Sequence, residues 1–203
     1  MAAAYTSGRW AAIALGLALL ASAAMAAKPA PALLQQCAAC HGVDGNTTSA
    51  LLYPNLAGQA ASYIALQLNN FRSGERPHAQ MRAVAEKLSQ ADIVALAAWY
   101  AARSPKPQRS VDAALESQGR AVFERGNAAG AMACVACHGP QGQGQAQFPR
   151  IASQPAVYSL EQLKVYRNAP SFNNPLAMLM KSVAVKLSDQ DMRAVSAYLA
   201  TLK

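Results

Sequence analysis

Two short segments of the sequence bring together residues able to form covalent and metal bonds. The segments are CAACH at 37–41 and CVACH at 134–138. In each one, two cysteines separated by two residues are followed at once by a histidine, which is the pattern of covalent haem c attachment. The thiols add to the haem vinyl groups as thioethers, and the adjacent histidine then lies under the iron. The sequence therefore predicts two haem c groups, attached through Cys37, Cys40, Cys134 and Cys137, with His41 and His138 as iron ligands.

Two other kinds of site can be built from paired cysteines. A redox dithiol is expected within a βαβ pattern, which this sequence does not show. A zinc site would require the two pairs to meet in one cluster, and their separation along the chain does not exclude that. The two segments contain all four cysteines and two of the three histidines, so haem attachment is the better interpretation of both.

The sequence is duplicated around these segments. YPNLAGQ at 53–59 matches FPRIASQ at 148–154, and LSQAD at 88–92 matches LSDQD at 187–191. The spacing between matched positions changes only between the motifs, where insertions in loops cost little. The chain is therefore predicted to be a tandem copy of one haem-binding module.

Helical periodicity is present in both copies. Apolar residues recur at three- and four-residue spacing after Ser89, which we expect to cap a helix over 90–102. Asp112 is expected to cap another helix that ends at Arg125, before Gly126. No run alternates convincingly enough for a strand. We therefore predict an all-α fold, in which each module wraps short helices around one covalently attached haem.

Each iron needs a second axial ligand, or an open position for a substrate. Met81 and Met180 both stand seven residues before the Leu-Ser pair that opens the last helix of their module. His/Met ligation raises the reduction potential and closes the iron to substrates, which favours electron transfer. Met178 is the alternative ligand for the second iron, and His78 would give the first iron two histidines. Register across the repeat favours Met81 and Met180.

The residues before the first module are typical of an export signal. Arg9 precedes an apolar run from Ala11 to about Leu20, and small residues at 24–26 offer a cleavage site. We predict a cleaved signal peptide at 1–26, with an uncleaved membrane anchor as the alternative.

The exported chain is predicted to contain two domains of similar charge. They lie at 27–104 and 112–203, and a proline-containing linker at 105–111 joins them. The whole chain has 18 Lys+Arg against 10 Asp+Glu and is 53% hydrophobic, which excludes a disordered chain. A basic exported protein suits an acidic docking patch or the surface of an anionic membrane, unless the charges are ordinary solubilising surface. Export, and the lack of a Lys/Arg-rich run, disfavour nucleic-acid binding.

The order of these motifs resembles that of class I c-type cytochromes, and the duplicated arrangement resembles the cytochrome c4 family of dihaem proteins. The resemblance covers nearly all of 37–203 and implies two cytochrome c-like domains packed together. It also implies that the backbone carbonyls of Pro54 and Pro149 accept the Nδ1–H of His41 and His138. Such a bond fixes the ligand ring and raises its basicity.

The resemblance implies a carrier and not an enzyme. The family is periplasmic in Gram-negative bacteria and passes electrons to a terminal haem–copper oxidase, and we expect a quinol-oxidising complex as the donor. One alternative is a cytochrome subunit of a periplasmic or membrane-bound dehydrogenase or reductase complex. Another is a dihaem enzyme such as a peroxidase, which would need one open iron.

The first module departs from the family pattern. The family begins each module with a helix that crosses the last one, marked by a glycine and an aromatic residue four positions later. Gly119 and Phe123 form this pair in the second module. The first module has no such pair before Cys37, so we expect its N-terminal helix to be short or absent.

Overall fold

The computed structural model describes residues 28–48, 53–108 and 112–203. The predicted signal peptide at 1–26 lies outside these residues. Within them the chain forms nine helices: α1 Pro31–His41, α2 Ala61–Ser73, α3 Ala79–Ala85, α4 Gln90–Ala101, α5 Ala113–Arg125, α6 Val135–His138, α7 Ala156–Asn168, α8 Pro175–Ala184 and α9 Asp189–Thr201. The prediction of an all-α fold is confirmed. No helix of the described part of the chain is long and apolar enough to cross a membrane.

The last helix of each module begins at the same local device. At the start of α4, Ser89 Oγ accepts the Asp92 N–H at 3.1 Å, and an Asp92 carboxylate oxygen accepts the Ser89 N–H at 3.0 Å. Ser188 and Asp191 repeat this capping box at the start of α9, with 3.0 Å for both bonds. The reciprocal bonds satisfy backbone donors that the first helical turn leaves free. Both helices therefore begin where the sequence predicts, directly after Ser89 and Ser188.

Each module has its own hydrophobic core. In the first, Ile93 and Leu96 of α4 are almost fully buried and pack with residues of α2. In the second, Phe123 of α5 meets Met192 and Val195 of α9. Because two cores form and not one, each module presents the layered packing of an independent small domain.

The helix crossing expected in the second module is present. Helix α5 packs against α9 at Gly119, where a Cβ atom would lie 2.0 Å from the backbone oxygen of Ala194. One turn further on, the Phe123 and Tyr198 rings meet edge to face with centroids 5.5 Å apart. Asp112 caps α5 through bonds from two backbone N–H groups, and the helix ends at Arg125 as predicted.

The first module has no counterpart of α5 among the residues that the structure describes. There α1 is the first described helix, and it runs directly into the attachment segment and ends at His41. Trp99 stands at the repeat position of Tyr198, and the Arg103 guanidinium lies 3.8 Å from the centroid of its ring. This cation–π contact covers the Trp99 ring, whereas α5 packs against the equivalent Tyr198 ring in the second module.

Residues 104–108, which follow α4, pass the first attachment loop and reach the second module. Asn46 Nδ2 donates to the Ser104 carbonyl at 3.0 Å, and the Lys106 N–H donates to Asn46 Oδ1 at 2.8 Å. The Gln108 N–H then donates to the Ala200 carbonyl of α9 at 2.7 Å. These bonds attach residues 104–106 to the first attachment loop and Gln108 to α9 of the second module.

Candidate haem sites

The four cysteines lie where two helices meet their loops. Cys37 and Cys40 are in α1, Cys134 precedes α6, and Cys137 is within it. All four side chains are half-buried. Burial raises the pKa of the Cys37 thiol, and it raises the pKa of Cys134 to about 11. Reactive redox dithiols have lowered pKa values, so these surroundings argue against a dithiol that cycles through a disulfide.

The zinc alternative also finds no support. Among the described residues, no group of three or more His, Cys, Asp or Glu side chains is arranged to hold a metal ion. The two cysteine pairs therefore do not form one cluster, and each pair belongs to its own module.

The two histidines have matching surroundings. His41 Nδ1 lies 2.9 Å from the Pro54 carbonyl oxygen, and His138 Nδ1 lies 2.8 Å from that of Pro149. A carbonyl oxygen can only accept, so Nδ1 carries the proton in each ring and Nε2 keeps its lone pair. Both rings are about 8% exposed, and burial lowers the pKa of each. A neutral ring with a free Nε2 fits iron ligation.

One aromatic ring stands against each histidine. The His41 and Tyr53 centroids are 6.2 Å apart, and those of His138 and Phe148 are also 6.2 Å apart, both edge to face. These rings restrict the rotation of the imidazoles and supply apolar walls beside them.

The methionines occupy corresponding helices. Met81 is in α3 and Met180 in α8, and both are half-buried. Met180 packs against the core of the second module. Met178, the alternative, is 40% exposed, and its sulfur accepts the Phe172 N–H at 3.2 Å. The surroundings therefore suit Met180 better than Met178 as a ligand.

His78 has a local role that competes with iron ligation. It is exposed and caps α3, where its Nδ1 accepts the Met81 N–H at 3.2 Å. Its ring also meets Phe71 edge to face, with centroids 5.9 Å apart. Because Nδ1 accepts a bond, the ring proton of neutral His78 is on Nε2, and neither nitrogen has a free lone pair.

One buried cation in the second module is only partly hydrogen-bonded by the described part of the chain. Arg150 is 9% exposed, and its Nε and Nη2 atoms have no hydrogen-bond partner among the described residues. Burying a guanidinium without a counter-charge is costly. A haem supplies two propionate carboxylates, which are the ligands that a guanidinium prefers. The second module therefore has a positive charge suited to the haem propionates, in addition to the cysteines and the histidine that would bind the haem.

Sequence reasoning overlooked Arg150, although the repeat contained a signal. Arg150 stands where the first module has Asn55. A charged side chain in one copy of this proline-containing motif, where the other copy has an uncharged one, was the signal that position 150 has a role of its own.

The modules contact each other through the loops that hold the histidines. The Gln154 side chain bonds both backbone groups of Asn55, at 3.0 Å to the N–H and 2.8 Å to the carbonyl oxygen. The Gln59 side chain does the same with Arg150, at 2.9 and 2.8 Å. Asn55 Nδ2 also donates to the Ser153 carbonyl at 2.5 Å. The sequence alignment matched the two glutamines but assigned them no role.

Two family models match the chain in tandem. The model described as "Cytochrome C oxidase, cbb3-type, subunit III" matches residues 24–99. The model described as "Cytochrome c" matches residues 123–203. Each match therefore contains one of the two attachment segments.

Whole-length relatives decide the family. A cytochrome c4 of Thiocapsa roseopersicina is 41% identical over 82% of this chain and 86% of its own length. The chain belongs to the cytochrome c4 family. A "Thiosulfate dehydrogenase electron acceptor" of Thiomonas intermedia is 37% identical over 84% of this chain and 80% of its own. The crystal structure of reduced cytochrome c4 from Pseudomonas stutzeri matches with a TM-score of 0.78 and 34% identity, over 87% of this chain and all of that one.

Membership of the cytochrome c4 family, with both attachment segments intact, means that the chain carries two covalently bound haem c groups and transfers electrons. Its fold is confirmed as two tandem cytochrome c domains. The two predicted cofactors are confirmed as well.

The buried Arg150 side chain gives a first prediction for this member of the cytochrome c4 family. Replacing Arg150 with Gln is expected to lower the reduction potential of the second haem, because a nearby positive charge favours the reduced iron. The first haem should keep its potential. A redox titration that resolves the two haems checks this. Arg150→Lys, which keeps a positive charge at this position, is the control. An unchanged second potential in Arg150→Gln would contradict the placement of a propionate beside this guanidinium.

Proposed function

We propose that the chain is a periplasmic dihaem electron carrier that takes electrons from a quinol-oxidising donor complex and delivers them to a terminal haem–copper oxidase. It is exported by the signal peptide at 1–26, and the mature chain consists of domains at 27–104 and 112–203 joined by the linker at 105–111. It has no catalytic residues, because both irons are coordinatively saturated.

The proposed roles follow the repeat. Thioether bonds form through Cys37, Cys40, Cys134 and Cys137. His41 and Met81 bind the first iron, and His138 and Met180 bind the second. Pro54 and Pro149 orient the histidines through their carbonyls. Haem c supplies the one-electron chemistry, and the chain binds, orients and shields it.

The observation that carries this proposal is that the predicted axial ligands have matching surroundings in the two modules. Both modules present a buried histidine with Nδ1–H bound to a proline carbonyl, at 2.9 and 2.8 Å. Both present a half-buried methionine on the penultimate helix. An enzyme needs at least one site that differs by having an open position, whereas a carrier needs two closed sites at a fixed separation.

The packing between the modules supports transfer from one haem to the other. The loops behind the two histidines are joined by four buried glutamine–backbone bonds of 2.8–3.0 Å. Groups that are already hydrogen-bonded and buried move little when charge moves, which keeps the reorganisation on electron transfer small.

A second candidate concerns the donor. The relative from Thiomonas intermedia is named a thiosulfate dehydrogenase electron acceptor. A periplasmic dehydrogenase could therefore replace the quinol-oxidising complex as the source of electrons, with the chain as its separate acceptor or as a bound cytochrome subunit. The chemistry of the two haem sites is the same in both cases.

The experiment uses the purified protein with both haems attached. Both irons should be low-spin, with a sulfur-to-iron charge-transfer band for each, slow cyanide binding and no peroxidase turnover. Oxidase-containing membranes should oxidise the reduced protein, and the rate should fall with added salt if docking uses the basic surface. A high-spin iron or peroxide turnover would overturn the carrier function. Reduction by a thiosulfate dehydrogenase, but not by a quinol-oxidising complex, would select the second donor.

A further inference from the structure

The glutamine contacts between the modules meet the peptide groups that hold the histidines. The Pro54 carbonyl, which accepts from His41 Nδ1, and the Asn55 N–H, which donates to Gln154 Oε1, belong to one peptide group. In a trans peptide the oxygen and the hydrogen point in opposite directions. His41 of the first module and Gln154 of the second therefore lie at the two ends of one polarisable unit.

The second module repeats this arrangement with the roles of the modules exchanged. The Pro149 carbonyl accepts from His138 Nδ1 at 2.8 Å, and the Arg150 N–H of the same peptide group donates to Gln59 Oε1 at 2.9 Å. The contacts are crossed: each histidine is reached by the glutamine of the other module.

The orientation of both amides is set by their partners. Each side chain faces one backbone N–H, which needs an acceptor, and one backbone carbonyl, which needs a donor. Only one placement of the amide oxygen and nitrogen satisfies both. Gln59 is 6% exposed and Gln154 is 7% exposed, so water does not compete for these bonds.

We infer that Gln59 and Gln154 are positioning residues that set the reduction potential of the haem in the opposite module. Gln154 acts on the first haem through His41, and Gln59 acts on the second through His138. The inference rests on the proposed function, because it requires both histidines to be iron ligands.

The direction of the effect follows from hydrogen-bond cooperativity. When Gln154 Oε1 accepts the Asn55 N–H, electron density in the peptide group shifts toward the Pro54 oxygen, which becomes a stronger acceptor. A stronger acceptor pulls harder on the His41 Nδ1–H and makes the ring a more basic ligand. A more basic ligand stabilises oxidised iron. Each glutamine therefore lowers the potential of the opposite haem, and its removal raises that potential.

The interface offers a matched control. Arg76 of the first module donates to Tyr158 Oη at 3.0 Å and to Gln162 Oε1 at 2.9 Å in the second module. Neither bond touches a peptide group that holds a histidine. Gln162→Met thus removes an amide from the same interface without changing the crossed contacts.

The test is a redox titration followed by NMR, with haem methyl signals assigned to each module, on the complete protein carrying both haems. Gln154→Met should raise the potential of the first haem and leave the second unchanged. Gln59→Met should raise the second and leave the first unchanged. Gln162→Met should produce neither selective shift. The inference is overturned if Gln162→Met gives the same selective shift. It is also overturned if a glutamine variant shifts the potential of the haem in its own module, or if no potential shifts.

A measurement on the unaltered protein covers the case in which a variant does not fold. In the fully reduced state, a scalar coupling across the hydrogen bond should connect the Asn55 amide nitrogen with the Gln154 side-chain carbonyl carbon. The equivalent coupling should connect Arg150 and Gln59. Their absence would also overturn the inference. If neither glutamine variant shifts the potential of the haem in the opposite module, while both irons stay low-spin with sulfur ligation, only this inference fails. A high-spin iron in the unaltered protein would instead refute the proposed function.

Discussion

Replacing Met180 with alanine is expected to leave both haems covalently attached but to open the second iron. Cys134 and Cys137 still hold the macrocycle, and His138 keeps its Pro149 partner at 2.8 Å. Without the thioether, the iron becomes high-spin or binds water, and its reduction potential falls steeply because methionine ligation is what raises it. Mass spectrometry checks attachment, and the sulfur-to-iron charge-transfer band should lose half of its intensity.

The neighbouring methionine supplies the control. Met178 is two residues away in the same helix, is 40% exposed and has its sulfur on the Phe172 N–H. Met178→Ala should keep the full charge-transfer band, slow cyanide binding and both potentials. Reversed results for the two variants would assign the ligand to Met178 and show that register across the repeat is a poor guide here.

Covalent chemistry explains why the attachment segments could be predicted from the sequence. Two thioethers and one axial ligand must approach a rigid macrocycle from a single short stretch, so the residues are adjacent in sequence wherever the chemistry occurs. The helix starts at Ser89 and Ser188 were predictable for a similar reason, because the capping bonds join residues only three apart.

Contacts between the modules could not be predicted in the same way. The Gln154–Asn55 and Gln59–Arg150 bonds join residues 99 and 91 positions apart, and their existence depends on how two separate cores dock. No periodicity or spacing rule describes such docking. The repeat alignment nevertheless held two clues, since it kept a glutamine at 59 and 154 but changed Asn55 to Arg150.

The choice between the two methionines shows where sequence and structure add to each other. Register alone favoured Met180, but could not say what Met178 does instead. The structure answers this, because the Met178 sulfur already accepts a hydrogen bond from the Phe172 N–H. The proposal for Met180 therefore stands on two independent arguments, position in the repeat and the engagement of its competitor.

Replacing Gly119 with alanine is expected to destabilise the second module by about 3 kcal/mol, at the upper end of the usual cost of overpacking. The new Cβ would lie 2.0 Å from the backbone oxygen of Ala194 and 2.8 Å from Tyr198 Cβ. Backbone atoms cannot rotate away, so α5 and α9 must separate. Alanine adds about 1 kcal/mol of helix propensity over glycine, which is too little to offset the clash. Guanidinium unfolding, followed at the second haem, measures the loss.

Ser117→Ala is the matched control in the same helix, since Ser117 is exposed and alanine is the better helix former. It should leave the unfolding midpoint unchanged or slightly raised. A Gly119→Ala protein as stable as the parent would show that the crossing is looser than described.

The same variant measures how strongly the modules depend on each other. The new Cβ would meet only residues of the second module, Ala194 and Tyr198 of α9, so Gly119→Ala does no direct damage to the first module. If the modules fold independently, the first haem should keep its native spectrum at denaturant concentrations that release the second. If the buried glutamine bonds hold the two cores in one cooperative unit, both haems should lose their methionine bands together at a lower midpoint. We expect two separate transitions, because each module has its own core and the bonds between them are few beside the apolar area that each core buries.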